Sequence, residues 1–124
     1  MAQTASTSVK PLIESDRVEG TDVYGENGER IGTVKRLMIE KISGRVAYAV
    51  IAFGAFRNLH AGDHTIPWGK LRYDTKLGGY LTSITEGDLQ KAPHIDSDTH
   101  DWGSREREEQ LHDYYQIPPY WRAI

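Results

Sequence analysis

The chain has 124 residues, of which 38% are hydrophobic and 27% charged, and its formal net charge is −3. This size and composition predict one compact domain with some chain left for arms or tails. Cysteine is absent, which excludes disulfides, thiol nucleophiles and cysteine metal sites. The sequence has no apolar run of about 18 residues and no secretory signal pattern, so we expect a soluble, cytoplasmic protein without membrane insertion.

Charge is distributed unevenly along the chain. Residues 1–85 contain eleven Lys or Arg and nine Asp or Glu, a balance of +2, whereas residues 86–124 contain four and nine, a balance of −5. We expect the acidic end to lie against the body of the protein or against a neighbouring subunit. The asymmetry argues against nucleic acid as the main ligand, because such domains usually carry a concentrated basic face.

The first elements are weakly patterned. Residues 1–15 are polar and are interpreted as a flexible N-terminal arm. Val18–Tyr24 alternates weakly and is predicted to be an edge or bent strand, with Gly20 as a candidate bulge. Asn27-Gly28 predicts a type I′ hairpin turn, because both residue types tolerate positive φ.

The stretch Arg30–Phe53 is predicted to form two long strands joined at Ile42–Arg45. Neither face of the first strand is cleanly polar, which is typical of a strongly twisted strand. The second, Val46–Phe53, is apolar on both faces and is therefore predicted to be buried on both. If one face fills a barrel, the other must be covered by a tail or a partner.

Three shorter strands and a helix are predicted after this ribbon. The loop Gly54–Asp63 carries two exposed-looking apolar residues, Phe56 and Leu59. The strands are predicted at His64–Trp68, Leu71–Asp74 and Gly79–Ile84, and the helix runs from a Thr85 cap to Lys91, before Pro93. Six short strands with glycine-marked turns predict a mainly β fold, a small antiparallel β-barrel at residues 16–93.

The C-terminal tail, residues 94–124, combines an acidic linker, a short helix and an aromatic end. Ser104 is predicted to cap a helix over Arg105–Tyr115 that places Leu111, Tyr114 and Tyr115 on one face, with Arg105 and Glu109 paired. Burying its aromatic residues is worth on the order of 10 kcal/mol before entropy is counted. We expect the tail to dock on the apolar outer face of the barrel or to be exchanged with a second chain.

A metal site in the linker is the first chemical hypothesis. Asp96, Asp98 and His100 alternate, with Asp101 nearby, and in an extended segment they would point the same way, a donor set that suits a divalent ion. Acidic linkers often show this spacing, so no metal ligand is assigned.

Acid–base catalysis is the second hypothesis. Asp63-His64 and Glu108 with His112 have the spacing of acid–base pairs. The first pair is more typical of a strand start and the second of a surface i, i+4 contact. No serine stands in a nucleophile motif, and the glycines of Gly25–Gly32 open no helix, which argues against phosphate binding. We therefore predict no enzyme, no catalytic residue and no cofactor.

Nucleic-acid binding is the third hypothesis. Tyr48 and Phe56 are available for base stacking beside a set of basic residues. These basic residues are Lys35, Arg36, Lys41, Arg45 and Arg57. Glu40 and the acidic tail weaken such a patch.

The chain resembles the PRC-barrel family, named after the cytoplasmic part of the photosynthetic reaction-centre H subunit. The resemblance rests on Val18–Gly54, Ile66–Asp74 and, for a soluble stand-alone bacterial branch, Asp101–Trp121. Its most specific parts are G-x-R-I-G-x-V at Gly28–Val34 and S-G-R-V-A-Y-A-V at Ser43–Val50. The resemblance implies a six-stranded barrel that serves as an adaptor.

The expected function is therefore a non-enzymatic scaffold that self-associates, most simply as a symmetric dimer, and mediates protein–protein contacts. Docking onto a larger protein complex and a stress-related role are further expectations. One alternative is an RNA- or ribosome-associated module. Others are an accessory protein of a photosynthetic or electron-transfer membrane complex, and a protein that responds to a small molecule or metal.

Overall fold

The computed structural model describes residues 11–56 and 63–122. The strands are β1 (Asp22–Tyr24), β2 (Arg30–Ile39), β3 (Val46–Ala52), β4 (His64–Pro67), β5 (Arg72–Asp74) and β6 (Gly79–Leu81). The helices are α1 (Ser15–Val18), α2 (Glu86–Lys91) and α3 (Glu106–Tyr115), with 3-10 turns at Trp68–Lys70 and Tyr120–Arg122.

All six strands lie in one sheet, in the order β4-β3-β2-β1-β6-β5. The prediction of a mainly β fold with six strands is confirmed, but the predicted antiparallel barrel is wrong in two respects. β1 and β6 are parallel, and the edge strands β4 and β5 do not pair with each other, so the sheet is mixed and not closed.

The sheet is nevertheless strongly curled. Its edge strands β4 and β5 are consecutive in the chain and are joined only by Trp68–Leu71. In a flat sheet they would be about 24 Å apart, at about 4.8 Å per strand spacing. The connection spans at most about 18 Å, at about 3.6 Å per residue step. The two edges must therefore approach each other without forming a ladder.

A bulge at Lys35 explains the mixed pattern of β2. Val34 pairs with Ile51 and Arg36 pairs with Val50, so Lys35 has no directly opposed residue in β3. One extra residue reverses the alternation of side chains. Val34, before the bulge, and Leu37, after it, therefore share the face that packs on the core.

The first hairpin turn differs from the predicted type I′. A type I′ turn needs positive φ at two central residues. Gly28 has φ of 82°, but Asn27 does not have a positive φ. Gly28 N–H donates to the Gly25 carbonyl and Gly25 N–H donates to the Glu29 carbonyl, which is the three-residue loop with glycine in the left-handed position.

The N-terminal part of the domain is less extended than predicted. Val18 ends helix α1 instead of opening β1, and Gly20 lies between them with φ of 86°. The irregularity in the β1–β2 ladder lies between Val23 and Tyr24 and not at Gly20. Leu12 is 86% exposed, so this end of the arm does not pack on the described part of the domain.

The core lies inside the curl of the sheet and continues under the C-terminal tail. Its buried members include Val23, Val34, Ala49, Ile51, Ile66, Tyr80, Leu89, Ile95, Leu111 and Tyr115. The predicted cap of α2 is confirmed: Thr85 Oγ1 accepts from Asp88 N–H, and Asp88 Oδ2 accepts from Thr85 N–H. No helix in the described part of the chain is both long and apolar enough to cross a bilayer.

Candidate functional site: a buried cluster of tyrosine, histidine and glutamate

The most unusual polar feature of the described chain is a cluster beneath the C-terminal tail. Tyr48, in the middle of β3, is almost fully buried. Its hydroxyl oxygen lies 2.7 Å from Glu108 Oε1 and 2.8 Å from His112 Nε2. The other carboxylate oxygen, Glu108 Oε2, lies 3.0 Å from His100 Nε2. Four side chains from a strand, a linker and a helix thus form one chain of hydrogen bonds.

Helix α3 brings Glu108 and His112 to the sheet because they lie four residues apart on one face. Leu111 and Tyr115 share this face and are buried with them. The prediction that Glu108 and His112 make a surface contact is therefore wrong, since Glu108 is 0% exposed. A charge of this kind is rarely buried without partners, because its desolvation is costly.

The ends of α3 are also organised differently from the prediction. Ser104 does not cap the helix; Arg105 occupies that position without a side-chain cap. Arg105 lies over the Trp121 ring at 4.8 Å and does not pair with Glu109, which is 3.4 Å from Arg122. The predicted start at Arg105 is thus off by one residue. The contacts of Arg105 with Trp121 and of Glu109 with Arg122 follow from the tail folding back along α3.

The C-terminal end of α3 fixes the orientation of His112. Gln116 adopts the left-handed conformation, with φ of 59°, and its N–H donates to the His112 carbonyl. This reversal directs the chain back so that the Ile117 carbonyl accepts from His112 Nδ1–H at 2.9 Å. Ile117 itself packs beside Gly69, where a Cβ would already crowd its side chain. The backbone therefore determines which imidazole nitrogen faces Tyr48.

An aromatic shell encloses the cluster. The rings of Trp102 and Tyr120 lie 5.7 and 5.9 Å from that of Tyr48, and Trp121 lies 5.7 Å from His112. Trp102 also contacts His100 edge-to-face at 4.6 Å. These rings exclude water and strengthen the electrostatic interactions inside.

Burial alters the acid–base behaviour of the cluster. It raises the pKa of Tyr48, and the hydrogen bond to Glu108 and the charge of that residue act in the same direction. It lowers the pKa of His112, although the hydrogen bond to Ile117 and the charge of Glu108 oppose this. Tyr48 is therefore a neutral phenol over the physiological range.

The linker residues of the metal hypothesis are each engaged separately. Asp96 Oδ1 accepts from Asp98 N–H within a turn, and Asp98 pairs with Arg36 at 3.2 Å. His100 is directed into the cluster. They do not converge, and no group of three metal-ligating side chains occurs among the described residues. The extended geometry on which the hypothesis depended is replaced by a turn.

His64 of the Asp63-His64 pair begins strand β4, as its position in the sequence predicted. The His64 ring is buried and packs on Phe53 and His94, at ring distances of 5.9 and 5.0 Å. It is therefore part of the packing between β4 and the linker.

Phe56, predicted to be exposed, stacks on Phe53 at 5.6 Å and is half-buried. Leu59 lies outside the described residues.

The structure removes one of the two stacking residues of the nucleic-acid hypothesis. The Tyr48 ring is enclosed, and one face of the half-buried Phe56 ring is stacked on Phe53. Arg36 is engaged with Ser97 and Asp98. Lys35, Lys41 and Arg45 are exposed, and Arg57 lies outside the described residues.

The tip of the β2–β3 hairpin is an apolar surface that the tail leaves uncovered. Ile42 is 98% exposed and Ile39 is 50% exposed. Beyond Val34, β2 pairs only with β3 within the described residues, so its other edge is open up to Ile39. Apolar side chains beside an open strand edge are characteristic of a binding surface.

One surface depression, of about 410 Å³, lies between β2 and the end of β3. Among its described lining residues, Arg30 is the single ionisable group, and neither Tyr48 nor Glu108 opens into it. The polar cluster therefore does not line this depression.

The family match covers the strands but not the tail. A family profile described as "PRC-barrel domain" matches residues 11–89. A protein of Deinococcus radiodurans named "Uncharacterized protein" is 31% identical over 71 residues, which are 57% of this chain and 25% of that protein. The chain thus spans about a quarter of the length of this relative. The matched profile includes Tyr48 and ends before Glu108 and His112.

Proposed function

The chain belongs to the PRC-barrel domain family, and we propose that it acts as a non-enzymatic scaffold that self-associates and binds other proteins. The observation that carries this proposal is the exposed apolar tip of the β2–β3 hairpin beside the open edge of β2. The outer face of β3 is already occupied by the tail of the same chain. The hairpin tip is therefore the surface left for a partner.

A second copy of the chain is the simplest partner for this surface. An open strand edge presents unpaired backbone donors and acceptors, which another strand satisfies. An antiparallel pairing of two β2 edges about a two-fold axis at Met38 would set Arg36, which also contacts Ser97 and Asp98 of its own chain, opposite Glu40 of the other copy. Opposite charges at directly paired positions stabilise a sheet by about 0.2–1 kcal/mol. The same patch then serves both copies, as a symmetric dimer requires.

The non-enzymatic part of the proposal is supported by the accessibility of the ionisable groups. Glu108 and His112 are the closest acid–base pair of α3, but they are enclosed by aromatic rings and by Tyr48. A catalytic pair must reach the proton that it transfers, within about 3 Å of the substrate atom. The closed geometry suits an anchor for the tail better than a reaction site.

The self-association is tested by sedimentation equilibrium of the full chain with Ile42→Asp. A charge on this exposed side chain of the proposed interface is expected to raise the dimer dissociation constant at least tenfold, in line with about 2 kcal/mol for an interface hot spot. Leu77→Asp is the matched control, because Leu77 is 41% exposed on the β5–β6 turn and is away from β2. A wild-type chain that stays monomeric at all accessible concentrations would refute the proposal.

A further inference from the structure

The hydrogen-bond distances of the buried cluster determine how many protons it holds. The Ile117 carbonyl can only accept, so His112 Nδ1 carries a hydrogen. Two further contacts, from the Tyr48 oxygen to Glu108 Oε1 and to His112 Nε2, need two hydrogens. The Tyr48 hydroxyl supplies one of them. In the contact between His100 and Glu108, the Nε2–H of His100 donates to Oε2, so this contact brings its own hydrogen.

One hydrogen is therefore still required. It lies either on His112 Nε2, which makes an imidazolium, or on Glu108 Oε1, which makes a carboxylic acid. Both arrangements contain the same number of protons, one more than a neutral imidazole beside a carboxylate. Without this proton, two acceptors would face each other at 2.7 or 2.8 Å in a buried site, which is costly because buried acceptors need donors.

We propose that the cluster of Tyr48, Glu108 and His112 binds one proton when the tail is docked, so that the tail is a latch that loosens as the pH rises. This inference concerns the contact between the tail and β3 and does not depend on the proposed self-association. The ligand of the site is the proton itself.

The charges around the cluster are nearly balanced. They come from α3, from the linker, from the last 3-10 turn and from the β2–β3 turn. The charges of Asp113 and Arg122 act on His112, and His100 contacts Glu108. The Tyr120 ring packs on Tyr48, and the charges of Arg105 and Glu40 act on Tyr120. The charged side chains are thus two cations, Arg105 and Arg122, and two anions, Asp113 and Glu40.

The extra proton is shared between the two partners of Tyr48. Burial lowers the pKa of His112, so an imidazolium is not favoured there by itself. The charge of Glu108 and the hydrogen bond to Ile117 oppose this effect. The Tyr48 hydroxyl links the two groups, and a proton on either one completes the same set of hydrogen bonds.

The direction of the pH dependence follows from the proton count in the two states. When the tail is released into water, glutamate and histidine titrate near their ordinary values of about 4.3 and 6.5. Above pH about 6.5 the released pair holds no extra proton, whereas the docked cluster holds one. Docking then takes up a proton, so release becomes up to tenfold more favourable per pH unit. This continues until the docked cluster itself loses the proton.

The test is hydrogen exchange of the α3 amides, Glu106–Tyr115, in the full chain between pH 6.5 and 8.5. After correction for the intrinsic exchange rate, their protection factors are expected to fall at least tenfold. The β3 amides, Val46–Ala52, are the internal reference and are expected to change less than threefold. A protection factor of α3 that is constant, or that rises with pH, would overturn the proposal without any variant.

The variant Glu108→Gln keeps the hydrogen bonds of the site but removes the titratable carboxyl group. Its amide can donate to the Tyr48 oxygen and accept from His100, so it supplies the missing hydrogen without titrating. In this variant the pH dependence of α3 protection is expected to disappear. Glu109→Gln, on the exposed side of the same helix, is expected to keep the wild-type fall. If Glu108→Gln retained the full dependence, the cluster would not be the proton-binding site.

Discussion

Replacing Tyr48 by phenylalanine removes a single oxygen atom at the centre of the buried cluster. That oxygen is the partner of both Glu108 Oε1 and His112 Nε2. Each group left without a partner in a buried site costs about 1–3 kcal/mol. The two losses together predict that Tyr48→Phe lowers the free energy of unfolding by about 2–6 kcal/mol. For a chain of 124 residues, the total is about 6–19 kcal/mol, so the loss is large.

The measurement is urea denaturation followed by circular dichroism at pH 6.5, below the range in which the latch loosens. With a slope of about 2 kcal/mol per molar urea, the midpoint is expected to fall by about 1–3 M. Tyr73→Phe is the control: Tyr73 is 46% exposed, and surface changes usually stay within about 0.5 kcal/mol. If Tyr48→Phe changed the midpoint no more than Tyr73→Phe, the hydroxyl would not be holding the tail.

Three further predictions concern the sheet, α2 and the buried phenols. Gly32→Ala is expected to destabilise the domain by at least 2 kcal/mol in thermal unfolding, because its Cβ would overlap the Ala52 carbonyl oxygen, whereas Gly54→Ala, with open space around it, should not. Thr85→Ala removes one half of the capping box and should cost about 1 kcal/mol in the same assay; no change would mean that α2 does not depend on its cap. Burial raises the pKa of Tyr48 and Tyr115, so the folded state binds their protons more tightly than the unfolded state. Their contribution to the free energy of unfolding is therefore present below pH about 10 and lost as pH rises above it. In a spectrophotometric titration these two phenols should ionise only as the protein unfolds, and a smooth titration of every tyrosine at pH about 10 in the folded protein would contradict this.

The residue pattern alone was enough to predict a mainly β fold with six strands. Periodicity and glycine-marked turns located all six strands to within a few residues, and Thr85 followed by Asp88 identified the start of α2. These features are local, because a strand alternation or a capping box is written in residues a few positions apart. The apolar character of both faces of β3 also indicated that something must cover it.

The tertiary structure decided the curl of the sheet and the parallel pairing of β1 with β6. These depend on which strands meet, and the meeting residues are distant in the chain. The bulge at Lys35 is of the same kind, since it exists only in the register of β2 against β3 and leaves no distinctive residue type behind.

The site was the least predictable part. The spacing of Glu108 and His112 identified a pair, but a surface contact and a buried cluster have the same spacing on a helix. What distinguishes them is Tyr48, 60 residues from Glu108, and its hydroxyl carries no signal within an apolar strand. Glu108 and His112 are removed from water only when the tail docks on β3. In the docked state the proton that they share completes their hydrogen bonds with Tyr48.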